Sequence, residues 1–140
     1  MPRSAGVFVD TAYLVALLNR LDRHHALARR LAKQWQRDGT RLFTNDAVLV
    51  ELGNFFSRSP VRPRVVPAIR RLRASSGWAI RGVEPELVAR AEARYESHDD
   101  KCWSLTDCLS MECMDDDGLG VVATTDDHFA QAGFRILMGR

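Results

Sequence analysis

Asp10, Glu51, Asp107 and Asp126 are the side chains whose type and placement suit chemistry on a phosphate. Hard divalent cations take oxygen ligands, and Mg²⁺ is often held by one or two carboxylates, with water and substrate phosphate completing its shell. A cation held this way polarises a phosphoryl oxygen and lowers the pKa of a bound water, making hydroxide available near neutral pH. Thr11 and Thr124 stand beside two of these acids and can hydrogen-bond to a carboxylate, a metal-bound water or a phosphate. A serine or cysteine nucleophile is disfavoured, because the paired histidines His24 and His25 sit in no context that would activate one. Acids gathered with no base nearby point instead to Mg²⁺ or Mn²⁺.

Each acid also has a plainer explanation. Asp10 and Asp126 can cap the helices that follow them. Ser104-Leu105-Thr106-Asp107 reads as a capping box with Asp in the usual Glu place. Glu51 resists such an account best, because Ala47, Val48 and Phe55 surround it at helical spacing. A carboxylate on an apolar stripe is costly unless it meets a cation or donors. An arginine partner is the alternative to a metal there.

The elements that must position these residues follow from periodicity and punctuation. Gly6 to Val9 reads as a buried strand ending at Asp10-Thr11, followed by a helix carrying Leu14, Leu17, Leu18 and Leu21. Asp22 can cap a second helix through Leu27, Leu31 and Trp35, which Gly39 stops. Arg41 to Thr44 is a second strand, and Asn45 or Thr44 can cap the helix that carries Glu51 to about Ser57. Pro60, Pro63 and Pro67 break the chain, with Pro67 suited to start a helix that ends near Ser75-Ser76-Gly77. Trp78 to Arg81 is a third strand, and Pro85 opens a helix through Leu87, Val88, Ala91 and Tyr95. Ser104 opens a helix to about Met114, Gly120 to Thr124 is a fourth strand, Asp127 to Ala132 a short helix, and Phe134 to Leu137 a fifth strand. Strands alternating with helices imply an α/β fold, a three-layer α/β/α sandwich around a mostly parallel five-stranded sheet. In such a sheet the functional crevice lies beyond the carboxyl ends of the strands. Asp10 ends the first strand, Asp126 follows the fourth, Asp107 opens the helix before it, and Glu51 lies about two turns into the helix after the second.

With 140 residues, the chain has the length of a single domain, 1–140. No apolar run approaches the roughly 20 residues of a membrane span. The short N-terminal run lacks the length of a signal peptide, which implies a cytoplasmic protein. Cys102, Cys108 and Cys113 match no zinc spacing and read as reduced thiols. The net charge of +2 conceals an asymmetry. Between Glu51 and Glu84 there is no acid, but Arg58, Arg62, Arg64, Arg70, Arg71, Arg73 and Arg81 occur. From Glu84 to Asp127 acids dominate. A basic surface beside an acidic pocket can receive a polyanion, and a solvated arginine-rich helix face explains the same run equally well.

With these residues in place, the sequence resembles the PIN-domain ribonucleases and, within them, the VapC toxins of toxin–antitoxin pairs. The pieces are Val7-Phe8-Val9-Asp10-Thr11-Ala12-Tyr13-Leu14, Asn45 to Leu52, Trp103-Ser104-Leu105-Thr106-Asp107-Cys108, and Ala123-Thr124-Thr125-Asp126-Asp127-His128-Phe129 followed by Gln131-Ala132-Gly133-Phe134. The ordered set carries the resemblance, over about Val7 to Leu137. It implies Asp10, Glu51, Asp107 and Asp126 as the acidic quartet. It selects Asp126 over Asp127 because the family's last acid precedes the phenylalanine by three residues, while leaving Asp127 able to share the work. It implies metal-dependent cleavage of structured RNA, a homodimer, and an antitoxin that blocks the active site. Arg58 to Arg81 suits either RNA or an acidic antitoxin. The alternative is a PIN-fold module that binds RNA or a partner without cleaving. A haloacid dehalogenase-type phosphatase needs a second Asp where Ala12 stands, and a receiver domain needs a lysine that is not in place.

Overall fold

A central strand covered on both faces needs a continuous apolar run, and Val7-Phe8-Val9 supplies it. In the structure, a computed structural model that describes residues 4–139, this run lies in β1 (Ser4–Val9), with Val7, Phe8 and Val9 all buried. The remaining elements are α1 (Thr11–Leu18), α2 (His25–Asp38), β2 (Leu42–Asn45), α3 (Asp46–Phe55), α4 (Arg62–Ala74), β3 (Trp78–Arg81), α5 (Pro85–Ser97), α6 (Leu105–Asp116), β4 (Leu119–Ala123), α7 (Asp127–Gln131) and β5 (Arg135–Ile136). The five strands lie in the order β3-β2-β1-β4-β5, and every neighbouring pair is parallel. The fold is the α/β arrangement expected from the alternation of elements.

The order decides where a site can form. From β1 the chain steps to β2 and β3 on one side, then crosses back to add β4 and β5 on the other. The direction of winding therefore reverses between β1 and β4, and the crevice at their carboxyl ends is the topological switch point. Val9 pairs with Ala123, so Asp10 and Thr124 leave the sheet side by side although 114 residues separate them.

Local signals place most helix ends. Asn45 caps α3, its Oδ1 accepting from Val48 N at 2.9 Å. Its Nδ2 donates to Ser110 Oγ at 3.3 Å, tying the start of α3 to α6. Ser104 and Asp107 form the expected capping box at the start of α6. Gly39 ends α2 with φ 65°, a left-handed conformation that costs glycine little.

Three expectations fail locally. α4 begins at Arg62, five residues ahead of Pro67. Pro63 sits in the first turn, where a missing N–H costs nothing, and Pro67 forfeits one bond while buried Val65 anchors that turn in the core. Leu21 is not on the apolar face of α1: the helix stops at Leu18, Asn19 Oδ1 takes Leu21 N at 3.1 Å, and Leu21 is 93% exposed. A side chain that offers the backbone a local acceptor ends the helix there. Asp22 caps a turn rather than α2, accepting from His24 N at 2.8 Å before the helix starts at His25.

Candidate active site

A cleft of about 610 Å³ opens at the switch point, lined by Asp10, Glu51, Asp107 and Asp126 together. Each acid arrives on a different element. Asp10 follows β1 in extended conformation and makes no side-chain cap to α1, so its carboxylate is left to the cleft. Thr124, fully buried just after β4, donates to Asp10 Oδ2 at 2.8 Å and accepts from Asp126 N at 3.1 Å through the same oxygen. One hydroxyl thus links two of the acids. Thr11 opens α1 and donates to Glu51 Oε1 from α3. Thr11 donates from the cleft lining and Thr124 from the buried layer behind it.

Asp107 and Asp126 are held from behind by backbone. Asp107 Oδ2 accepts from Ser104 N at 3.0 Å, and Asp126 Oδ1 accepts from His128 N at 2.9 Å as the cap of α7. The capping explanations are therefore true of both residues, and both still line the cleft. Capping uses one oxygen of each carboxylate. Asp127 falls in the first turn of α7 and is exposed, outside the cleft lining.

The electrostatics are lopsided. Burial pushes the Asp10 carboxyl up to about 7, against the hydrogen bond from Thr124, and the charges of Asp107 and Glu51 push the same way. Among the described residues no arginine or lysine forms an ion pair with any of the four acids; those ion pairs lie elsewhere. The nitrogen side chain that does reach them, among the described residues, is His128, whose Nδ1 lies 2.9 Å from Asp107 Oδ2 and 3.3 Å from Asp126 Oδ1. A carboxylate only accepts, which puts the proton on Nδ1.

His128 corrects the expectation that no base stands near the acids. It also groups with Asp107 and Asp126, ligand atoms of the three lying within 4.8 Å of one another. Its place two residues after Asp126, in the first turn of the capped helix, was the available signal. The cleft further includes Asp22, Arg23 and His24 from the α1–α2 loop, and Phe55 one turn beyond Glu51. No residue pattern announces the three loop residues, since loop path decides them, whereas the helical spacing of Phe55 from Glu51 does point to it. The basic segment stays outside: Arg58, Arg62, Arg64, Arg70, Arg71 and Arg73 are exposed, none lines the cleft, and Arg73 pairs with Asp46 at 2.7 Å. Cys108 and Cys113 are buried and Cys102 exposed, all three as free thiols.

Comparison with known proteins gives this geometry a context. The sequence pattern of the PIN domain matches residues 7–135. A curated relative, the 23S rRNA-specific endonuclease VapC20 of Mycobacterium tuberculosis, is 29% identical over 128 residues, covering 91% of this chain and 95% of the relative. The crystal structure of Mycobacterium tuberculosis VapC20, described as a Sarcin-Ricin loop cleaving toxin, superposes with a TM-score of 0.81 at 28% identity, covering 92% of this chain and 96% of that one. The DNA-bound VapBC complex of Salmonella typhimurium shares the fold, with a TM-score of 0.64 at 14% identity over 96% of this chain and 98% of that one.

Proposed function

The chain belongs to the PIN-domain family, and from that premise we propose that it is a metal-dependent endoribonuclease, the toxin of a toxin–antitoxin pair, with Asp10, Glu51, Asp107 and Asp126 as its catalytic acids. The observation that carries this reading is the convergence of four carboxylates from four elements on one cleft, with no arginine or lysine among the described residues paired to them. The donor set fits a hard divalent cation. It is rich in carboxylate oxygens, and burial first, with the charges of Asp107 and Glu51 adding to it, raises the Asp10 carboxyl, so its charge is costly there until a cation joins it. Such a cation, Mg²⁺ or Mn²⁺, supplies Lewis-acid polarisation of the scissile phosphate and a more acidic water.

The chain's own residues do the rest. Asp10, Glu51, Asp107 and Asp126 hold the cation, while Thr124 fixes the orientation of Asp10 and Thr11 that of Glu51. His128 orients Asp107 through its Nδ1–H. Capping by Ser104 and by the α7 backbone leaves Asp107 and Asp126 little rotational freedom, so the site is organised before substrate arrives. Asp127 stands next to the site as an auxiliary charge.

The substrate we infer is a structured RNA, a ribosomal RNA loop being the form suggested by VapC20, a 23S rRNA-specific endonuclease described as cleaving the Sarcin-Ricin loop. The exposed Arg58, Arg62, Arg64, Arg70, Arg71 and Arg73 serve a polyanion or the cognate antitoxin, and the working form is a cytoplasmic homodimer of single-domain chains. Among the described residues no helix is long and apolar enough to cross a membrane. The test is cleavage of RNA by the purified chain with Mg²⁺ or Mn²⁺ against excess EDTA. Cleavage is expected only with the metal, and undiminished cleavage in EDTA, free of contaminating nuclease, would overturn the mechanism.

A further inference from the structure

Phe55 is an aromatic side chain on the wall of the acidic cleft, and it is 61% exposed. Leaving such a ring in water is unfavourable unless something covers it. It lies one turn after Glu51 on α3, so both project from the same face of the helix. Its orientation is set by its neighbour: the ring packs edge-on against Phe56, with centroids 4.9 Å apart and planes at 84°, and Phe56 is buried. The ring is thus braced from one side and open on the other.

The α1–α2 loop supplies a second feature of the same cleft. Among the described residues Arg23 is the only arginine or lysine in the lining, and it is exposed. The loop is fixed by its own hydrogen bonds: Leu21 N to Asn19 Oδ1 at 3.1 Å, His24 N to Asp22 Oδ1 at 2.8 Å, and His25 Nδ1–H to Ala16 O at 2.7 Å. Arg23 is carried on a braced turn between these contacts.

We propose that Phe55 and Arg23 form a nucleotide subsite beside the acids, where an unstacked RNA base lies on the Phe55 ring and Arg23 takes a neighbouring phosphate. This rests on the ribonuclease reading of the cleft. Single-stranded RNA is recognised by splaying bases onto aromatic faces, and such stacking tolerates any base. The acids alone would repel the backbone, so a phosphate entering the cleft needs a cation on the protein as well as any bound metal. Arg23 is the lining residue able to supply that charge. The subsite selects RNA that is single-stranded at the cut, such as a loop, over a continuous duplex whose bases stay stacked.

The experiment measures binding rather than turnover. The full chain carrying Asp10→Asn, which leaves RNA uncut, is titrated with a fluorescent RNA loop that the wild-type chain cleaves, and with copies in which one base at a time near the cut is replaced by a base-free ribose analogue. Phe55→Ala is expected to weaken binding of the intact loop by about tenfold to a hundredfold, and Phe55→Trp to retain it. One base-free copy should show the same loss with the parent and no further loss with Phe55→Ala. Arg23→Ala should weaken all copies alike and flatten the salt dependence by about one charge. The proposal is overturned if Phe55→Ala binds like the parent, or if its loss adds to that of every base-free copy. It is also overturned if Phe55→Ala and Arg23→Ala leave RNA binding intact and instead abolish neutralisation by the antitoxin. Failure of the wild-type chain to cleave any RNA with metal would remove the ribonuclease reading and the subsite with it. Normal cleavage without a Phe55 effect would remove the subsite alone.

Discussion

Helix α6 carries acids at both ends, and the two ends behave in opposite ways. Asp107, in its first turn, faces the cleft with Asp10, Glu51 and Asp126, and among the described residues no arginine or lysine forms an ion pair with them. At the other end Arg94 Nε meets Glu112 at 2.6 Å, while Arg90 and Arg81 meet Asp116 at 2.6 and 2.7 Å. The contrast is sharpest between two aspartates. The Arg90 hydrogen bond holds Asp116 down to about 2, whereas burial lifts Asp10 to about 7. The density of acids along the sequence is greater around Asp115-Asp116-Asp117 than anywhere in the cleft. A candidate site is therefore marked by carboxylates left without an arginine or lysine partner and not by their number, because an ion-paired acid has its charge satisfied and offers little to a cation.

The most severe test of this contrast is neutralisation at each end. Asp10→Asn or Asp107→Asn keeps shape and hydrogen-bonding capacity but removes charge from the proposed metal site. RNA cleavage should fall by orders of magnitude in both. Asp116→Asn should cleave at near the wild-type rate. Rates for the three variants at saturating Mg²⁺ check this, and a dead Asp116→Asn enzyme would erase the distinction between the clusters.

The boundary of the cleft cluster can be located to one residue. Asp126 lines the cleft and Asp127 does not. Asp126→Ala should weaken metal binding and slow cleavage by orders of magnitude. Asp127→Ala should keep most activity and cost at most about 1 kcal/mol, the value of an acid in the first turn of a helix. Cleavage rate against metal concentration for both variants, measured together, decides it. The reverse result would shift the motif by one position.

Stability against pH separates the two aspartates without any substrate. Asp10 has its folded pKa raised from 3.8 to about 7, so its favourable contribution is present below its unfolded value and is lost as pH rises through 7. Metal-free Asp10→Asn should match the wild type near pH 4 and exceed it above pH 7, by up to about 4 kcal/mol if the whole shift is expressed. Denaturant melts in EDTA at several pH values report this difference, and a constant offset would show that Asp10 carries no such strain.

Asp116 should show the opposite sign and a smaller size. Its pKa is lowered, so its contribution is present above its unfolded value and fades as pH falls towards 2. It is solvent-exposed, and screening limits the loss in Asp116→Asn to about 1 kcal/mol at neutral pH. The same melts measure it, and a gain in stability would mean the ion pairs with Arg81 and Arg90 contribute nothing.

Much of this architecture was legible one residue at a time. The strand Trp78 to Arg81, the Asn45 cap, the Ser104–Asp107 box and the Gly39 stop are local devices, encoded within a few residues of where they act. Pro67 and Leu21 misled for a related reason. A helix tolerates a proline, and a leucine is left in water, when packing or a competing side-chain acceptor elsewhere in the turn decides the matter.

What the sequence by itself determined is the alternation of strands and helices and the supply of acids after β1, in α3, at the start of α6 and after β4, because periodicity, caps and residue chemistry are short-range. Which acids are partnered was decided only by tertiary structure. Placing β4 beside β1 lets Thr124 reach Asp10, and the packing of α5 on α6 delivers Arg90 and Arg94 to Glu112 and Asp116. The same is true of Arg23, which joins the cleft by the path of the α1–α2 loop. A charge's worth depends on distance and on the solvent removed around it. Both are set by residues far away in the chain.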